Sequence, residues 1–349
     1  MYLVISPGFD NPHGLCCIKR KPHPSRSAVF GTIDVMKQSK DNTKTSRNKK
    51  KYKVKNWGEY NKSLVNRGSL TIWISDDIEK WWHGSGRDTY SNKAIEAMLA
   101  IQAVHGLPLR AVCGFVRSVF ELANIDLSVP DYTTVSRRAT GLGIHLKATR
   151  KDSTDIILDS TGAKVYGEGE WKVRKHGWSK RRTWKKIHIG IDSKGEIRAV
   201  VVTDNDTHDS TVIGDILNQE KAQITDFYGD GAYDTYSVYQ SLLSRDVSGF
   251  HIPPKKDAII KIHGNTEGPP YPRDENLRAI RRSTRKRWKE MSGYHIRSLA
   301  ETTMFRYKTT FGEHMAFRTN ESQKSEVLVK CNILNIFHSL GMPESYAVT

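Results

Sequence analysis

TDIILDSTG (residues 154–162), TWKKIHIGID (183–192) and GEIRAVVVTD (195–204) are the segments whose reading decides the fold. The first is a buried-looking apolar run, with Asp159 arriving at its end where Ser160, Thr161 and Gly162 suggest a turn. The other two alternate apolar and polar residues around Ser193, Lys194 and Gly195, the pattern of a hairpin. Downstream, HDSTVIGDILNQ (208–219) reads as a capped helix, and ITDFYGDGAYD (224–234) as a strand running into a turn. TYSVYQSLLSR (235–245) reads as a helix and SGFHIPP (248–254) as a short strand broken by Pro253 and Pro254. Residues from Met291 to about Phe311 form a helical pattern, and EVLVKCNILNIFHSLG (326–341) an apolar closing helix. Strands followed by mixed strands and helices predict an α/β core over residues 149–349.

Upstream the periodicity is helical. NKAIEAMLAIQAVHG (92–106) places Ile95, Met98, Leu99 and Ala103 at helical spacing before Gly106 and Pro108 interrupt it. LRAVCGFVRSVFELANI (109–125) repeats the pattern, and Asp131 is placed to cap a third short helix, YTTVSRRAT. Residues 56–148 thus read as a helical region, compatible with either a helix-turn-helix or an ordinary bundle. Residues 1–55 carry no apolar periodicity. They read as an extension, whose first 35 residues lie upstream of Met36, followed by a disordered basic arm.

The formal charge is +17, with 55 Lys and Arg against 38 Asp and Glu, and it is local. Residues 37–55 carry +8, residues 171–188 +8 and residues 278–289 +7, so the rest of the chain nets −6. A single basic run is usually a solvated face or tail. Here Trp171, Trp178, Trp184 and Trp288 are interleaved with the cations of the last two runs, which suits phosphate neutralisation with stacking on bases, or core anchors with basic rims. No apolar run approaches the length of a membrane span, and MYLVISPGF turns polar too soon for a signal peptide. Cys16, Cys17, Cys113 and Cys331 have neither metal-ligand spacing nor a disulfide framework. These features predict a reduced, cytosolic protein that binds polyanions.

Three acids stand out by position: Asp159 and Asp230 at strand ends and Glu301 in a helical pattern. Tyr294, Arg297, Glu301 and Lys308, spaced three, four and seven apart, fall on one helical face at about 100° per residue. One strand-end Asp is more often a cap or turn former than a ligand. Three acids among so many cations suggest hard divalent ions between carboxylates and phosphates. Asp155, Asp192, Asp204, Asp206 and Asp234 are competing acids that read as caps, loops or neighbours outside the ligand set.

DSTG, DGAYD and the Y-x2-R-x3-E-x6-K spacing resemble the signatures of DDE transposases of bacterial insertion sequences. The similarity is to the insertion-sequence-five type within the insertion-sequence-four superfamily and runs from about Trp57 to Gly341. It implies a ribonuclease-H-like catalytic domain, a mixed five-stranded sheet flanked by helices, with two Mg²⁺ ions (or Mn²⁺) on Asp159, Asp230 and Glu301. It further implies DNA phosphate contacts from Arg297 and Lys308, with Tyr294 packing or stacking beside them at the DNA. The basic residues Arg137, Arg138, Lys180, Arg181, Arg182, Lys185, Arg281, Arg282 and Arg285 extend that expected DNA surface, with 255–290 as a basic DNA-contacting segment. The implied activity is metal-dependent cleavage and strand transfer at terminal inverted repeats of double-stranded DNA, by a homodimer in the bacterial cytoplasm and nucleoid. A metal-dependent nuclease that never joins ends, and an inactive DNA-binding protein, are the alternatives.

Overall fold

The computed structural model describes residues 51–86, 89–147, 153–165, 184–262 and 269–348. Strand β1 (Lys51–Val54) leads into α1 (Trp57–Asn66) and α2 (Ile78–Trp82). Helices α3 (Asn92–His105), α4 (Leu109–Leu122) and α5 (Tyr132–Ala139) follow the expected periodicity. Ser91 caps α3 through Ala94 N–H, Gly106 ends it with a φ of 63°, and Asp131 caps α5 by accepting from Thr133 N–H. The axes of α3 and α4 differ by 108°, and their junction carries Gly106 and Pro108.

The sheet is built from β2 (Thr154–Val165), β3 (Trp184–Ile191) and β4 (Ile197–Asp204), then β5 (Ile224–Tyr228) and β6 (Gly249–His251). Between β4 and β5 lies α6 (Ile213–Gln219), and between β5 and β6 lies α7 (Tyr236–Leu243). Next come α8 (Pro272–Arg282), α9 (Arg285–Met291) and α10 (Ser298–Phe311). A two-residue strand β7 (His314–Met315), the long helix α11 (Asn320–Ser339) and β8 (Ser345–Val348) complete the order.

Strand order is β4-β3-β2-β5-β6: β2, β3 and β4 are antiparallel neighbours, while β5 runs parallel to β2 and to β6. The mixed sheet is six-stranded rather than five-stranded, because β7 pairs with the far end of β2. That correction has a simple cause. β2 is 12 residues long and outruns β5, leaving Lys164 and Val165 an edge that His314 and Met315 cover. A two-residue strand leaves no periodicity to read.

Two apolar layers sandwich the sheet. On one face Ile156, Leu158 and Ala199 meet α6 and α7 residues such as Ile216 and Val238; on the other Ile157, Ile187 and Ile189 meet Met304 and Tyr307 of α10 and Val327 and Leu334 of α11. Helix α11 serves a third cluster as well: Val329, Ile333 and Phe337 lie among Ile95, Met98, Val112, Val116 and Phe120 of the upstream helices. Residues 51–349 consequently cluster as one compact unit. Strands β1 and β8 pair antiparallel, joining the two ends of that unit. Among the described residues no single helix is long and apolar enough to cross a membrane.

Candidate active site

Asp159 is not at the end of its strand. It is the sixth residue of β2, which continues through the Ser160, Thr161 and Gly162 expected to turn. Pairing with β3, from Ser160↔His188 to Lys164↔Trp184, overrides the local turn preference. What stops near Asp159 is its other neighbour: the last β2–β5 pair is Ile157↔Tyr228. Asp159 and Asp230 each follow that last pair by two residues, and Asp230 acts electrostatically on Asp159. The two acids thus stand where the central strands part.

Asp230 caps the short 3-10 turn Gly231–Tyr233, its Oδ1 accepting from Ala232 N–H at 2.8 Å. Gly229 precedes it of necessity: a Cβ there would lie 2.9 Å from the Tyr233 ring and 3.0 Å from that of Phe227. Asp159 accepts from Ser160 N–H at 2.9 Å and from Arg297 Nη1 at 2.8 Å. The second arm of the same guanidinium, Nη2, donates to Glu301 Oε1 at 2.6 Å. Glu301 lies in the first turn of α10, where a carboxylate is favoured by the helix dipole.

Burial is the main influence on Asp159 and pushes its carboxyl above the usual range. The Ser160 N–H and the Arg297 charge oppose this, and Asp230 and Glu301 reinforce it. Burial alone would lower Arg297, but Asp159, Tyr294, Glu301 and Asp230 together hold its guanidinium protonated.

Tyr294 and Arg297 do not lie on the α-helix with Glu301. Gly293, with a φ of 65°, starts a 3-10 turn over Tyr294–Arg297, and the α-helix begins at Ser298. Arg297 still reaches Glu301, whereas Tyr294 turns inward: it is buried, its ring 5.8 Å from that of Trp288, with Lys289 over its face. Tyr294 is therefore a packing residue in this structure, and its buried hydroxyl is pushed above the usual tyrosine range. Lys308 lies farther along α10, its Nζ 3.8 Å from Glu313.

The expected DNA-contacting cations divide. Arg137, Arg281 and Arg282 are exposed. Lys185 is buried and ion-paired with Asp204, and its Nζ also donates to Asn320 Oδ1 at 2.7 Å. Lys185 is thus engaged at the start of β3 by an acid that is itself 68% exposed and by the first residue of α11. Arg138 ties α5 to the start of α3 through Tyr90 O and Asn92 Oδ1, and Arg285 donates to Pro254 O at 2.7 Å. Trp288 is a buried anchor whose Nε1 donates to Asn276. Lys180, Arg181, Arg182, Trp171 and Trp178 lie outside the described residues, as does the basic arm up to Lys50. The 255–290 segment includes α8 and α9, held by the buried Arg273–Asp234 pair at 2.7 Å. Asp234, whose side chain is fully buried, is committed to Arg273 and to Lys255 N–H.

Asp209 escaped the sequence reading because HDS looks like an ordinary helix start. Its stretch is instead a 3-10 turn, Asp209–Val212, ahead of α6. Its carboxylate accepts from Ser160 Oγ at 3.0 Å and Lys186 Nζ at 3.0 Å, bracing β2 immediately beside Asp159. Tyr233 was also missed. It is 1% exposed, its hydroxyl has no hydrogen bond among the described residues, and Asp209, Asp230 and Asp159 all act on it electrostatically.

In this arrangement no three His, Cys, Asp or Glu side chains among the described residues are gathered at metal-holding spacing. Arg297 stands between Asp159 and Glu301 instead.

A mixed sheet flanked by helices, with carboxylates where its central strands diverge, is consistent with a ribonuclease-H-like DDE domain. Two family models described as Transposase DDE domain match the sequence, one over residues 65–168 and one over residues 150–336. The second covers more than half of the chain, which belongs to the DDE transposase domain family. It is a transposase, an enzyme of the DNA-cleaving and DNA-transferring class.

Proposed function

We propose that this transposase is of the insertion-sequence-five type, binds the terminal inverted repeats of its own element, and cleaves and joins DNA at Asp159, Asp230 and Glu301. The observation that carries the reading is the convergence of Asp159 and Glu301 on one guanidinium, with Asp230 close enough to act on Asp159 electrostatically. The donors are carboxylates throughout, which suits Mg²⁺ or Mn²⁺, and two of them already pair with a cation, the Arg297 guanidinium. Bound there, a pair of such ions would activate the attacking oxygen and stabilise the leaving one in an in-line displacement at phosphorus.

The chain's own residues set up the rest. Ser160 N–H and Asp209, through Ser160 and Lys186, fix the strand that carries Asp159. Gly231–Tyr233 fixes Asp230 by engaging one carboxylate oxygen. Arg297, released from the acids, would turn its two donor arms to a phosphate, the bidentate geometry guanidinium favours. Lys308 would contact the backbone farther along α10. Residues 56–148, through exposed groups such as Arg137, would supply end recognition, with a second copy holding the other end. The setting is the bacterial cytoplasm and nucleoid.

Asp159→Asn tests the reading directly, assayed for binding and for cleavage of element-end DNA in Mg²⁺. Retained binding with lost cleavage is expected; cleavage that survives would remove Asp159 from the site. Pre-cut ends distinguish joining from hydrolysis alone, since a nuclease would yield no joined product.

A further inference from the structure

Two arginines, one on α1 and one on α10, stand apart from the others inside the fold. Arg198 pairs with Glu196 and Glu220, Arg273 with Asp234, and Arg297 with Asp159 and Glu301. Arg67 and Arg306, both half-buried, meet no carboxylate among the described residues. Arg67 ends α1, and its Nη2 donates to Gly341 O at 3.4 Å. Its guanidinium carbon lies 5.7 Å from the centre of the Tyr60 ring and 5.5 Å from that of Phe337. Ser63 Oγ donates to the same Gly341 carbonyl at 3.2 Å, which seats α1 on the segment following α11. Arg67 Nε is buried without a hydrogen bond among the described residues, and so is Arg306 Nη2.

On α10, Arg306 stands about 140° round the helix from Glu301, at about 100° per residue, and so on a different flank from the proposed metal site. Burial lowers its guanidinium below the usual arginine range, the Arg67 charge lowers it further, and Tyr60 opposes them. Two like charges thus share one half-buried corner with no acid between them. Arginine does not escape that state by losing its proton, so an anion is what relieves it. A planar carboxylate is satisfied by a single guanidinium fork. The donors here come from separate helices, and the tetrahedral oxygens of a phosphate accept from both. We propose that Arg67 and Arg306 form a phosphate site, and that a phosphate bound there clamps α1 to α10, the helix that carries Glu301. A backbone phosphate of DNA and a free phosphate ion present the same chemistry to this donor set. The site rests on its own geometry; only a DNA source rests on the function proposed above.

The test uses the full-length chain, with inorganic phosphate as the probe and chloride at equal ionic strength as the control. Phosphate should raise the wild-type melting temperature by about 3–5 °C at a hundred times its dissociation constant. Arg306→Gln and Arg67→Gln should each lose that rise. In chloride, Arg306→Gln should melt at or above wild type, because it removes an unpaired charge. A second arm measures binding to a short DNA duplex across a salt series. A DNA source makes the slope of log K against log salt about 0.9 shallower in Arg306→Gln, the share of one phosphate. An unchanged slope beside the lost thermal response makes free phosphate the source. Equal phosphate responses in all three proteins, with equal slopes, reflect only the general stabilisation phosphate gives a folded protein, and overturn the proposal. So does an Arg306→Gln protein that melts several degrees below wild type in chloride, since the guanidinium would then have a partner within the protein. Wild-type protein that responds to phosphate but binds no DNA sinks the functional reading and spares this site.

Discussion

Arg297 and Asp159, 138 residues apart in sequence, are joined by a 2.8 Å hydrogen bond, and the other arm of the guanidinium holds Glu301. A side-chain cation therefore neutralises, in the protein alone, acids that would otherwise repel one another. Removing it should have opposite effects on stability and on metal response. Arg297→Ala should lower the metal-free melting temperature by a few degrees, since a charge-assisted hydrogen bond contributes about 1.5–3 kcal/mol. It should also gain more from Mn²⁺ than wild type does, because the ion no longer competes with the guanidinium. Thermal melts with and without Mn²⁺ decide the matter, and equal metal-induced shifts in the two proteins would count against it.

The packing of Phe227 and Tyr233 around the turn that follows Asp230 leaves no room for a side chain at Gly229. Gly229→Ala should cost about 1–3 kcal/mol through overpacking against Tyr233 and Phe227. Urea denaturation measures that cost. Because the same turn sets the Asp230 carboxylate, cleavage should fall further than stability predicts.

Inside the second half of the chain, Arg273 and Asp234 form a buried pair, while Arg278 and Glu275 form one at the surface. Arg273→Ala strands a buried carboxylate and should destabilise by about 3–5 kcal/mol. Arg278→Ala should change stability by less than about 1 kcal/mol. Denaturant midpoints of the two variants side by side test the contrast, and comparable losses would contradict the burial argument.

Asp209 gives a pH prediction. Burial would raise its carboxyl, but hydrogen bonds from Lys186 and Ser160, with the Lys186 charge, hold it below the usual range. A depressed folded-state value means that the carboxylate stabilises the fold above its unfolded value of about 3.9. That contribution disappears as pH falls through the lower folded value. Asp209→Asn should be less stable than wild type near neutrality, and the difference should shrink on acidification below about pH 4. Urea midpoints across that range provide the measurement; a gap that widens in acid would contradict the assignment.

Much of this architecture was legible in the chain itself. The alternation in residues 183–204 produces the β3–β4 hairpin, and the 3.6-residue spacing upstream produces α3 and α4. Side chains whose outcome depends on distant partners were less legible. Whether Ser160 turns or extends is decided by β3, and whether Lys185 faces solvent is decided by Asp204 and Asn320, which engage it. Gly293 shifted Tyr294 off the helix by a local φ that spacing arithmetic ignores. Asp209 carries the signature of a helix start, so its bonds to Ser160 and Lys186 had no one-dimensional trace.

Helix α11 is shared between the upstream helices and the sheet, and this fixes an order of assembly. Neither apolar cluster it closes can be completed until residues 320–339 have been synthesised, and the β1–β8 pair closes later still. Contacts of such long sequence separation form slowly. A nascent chain would thus carry Asp159 and Asp230 and its upstream helices for some time before either is held in place.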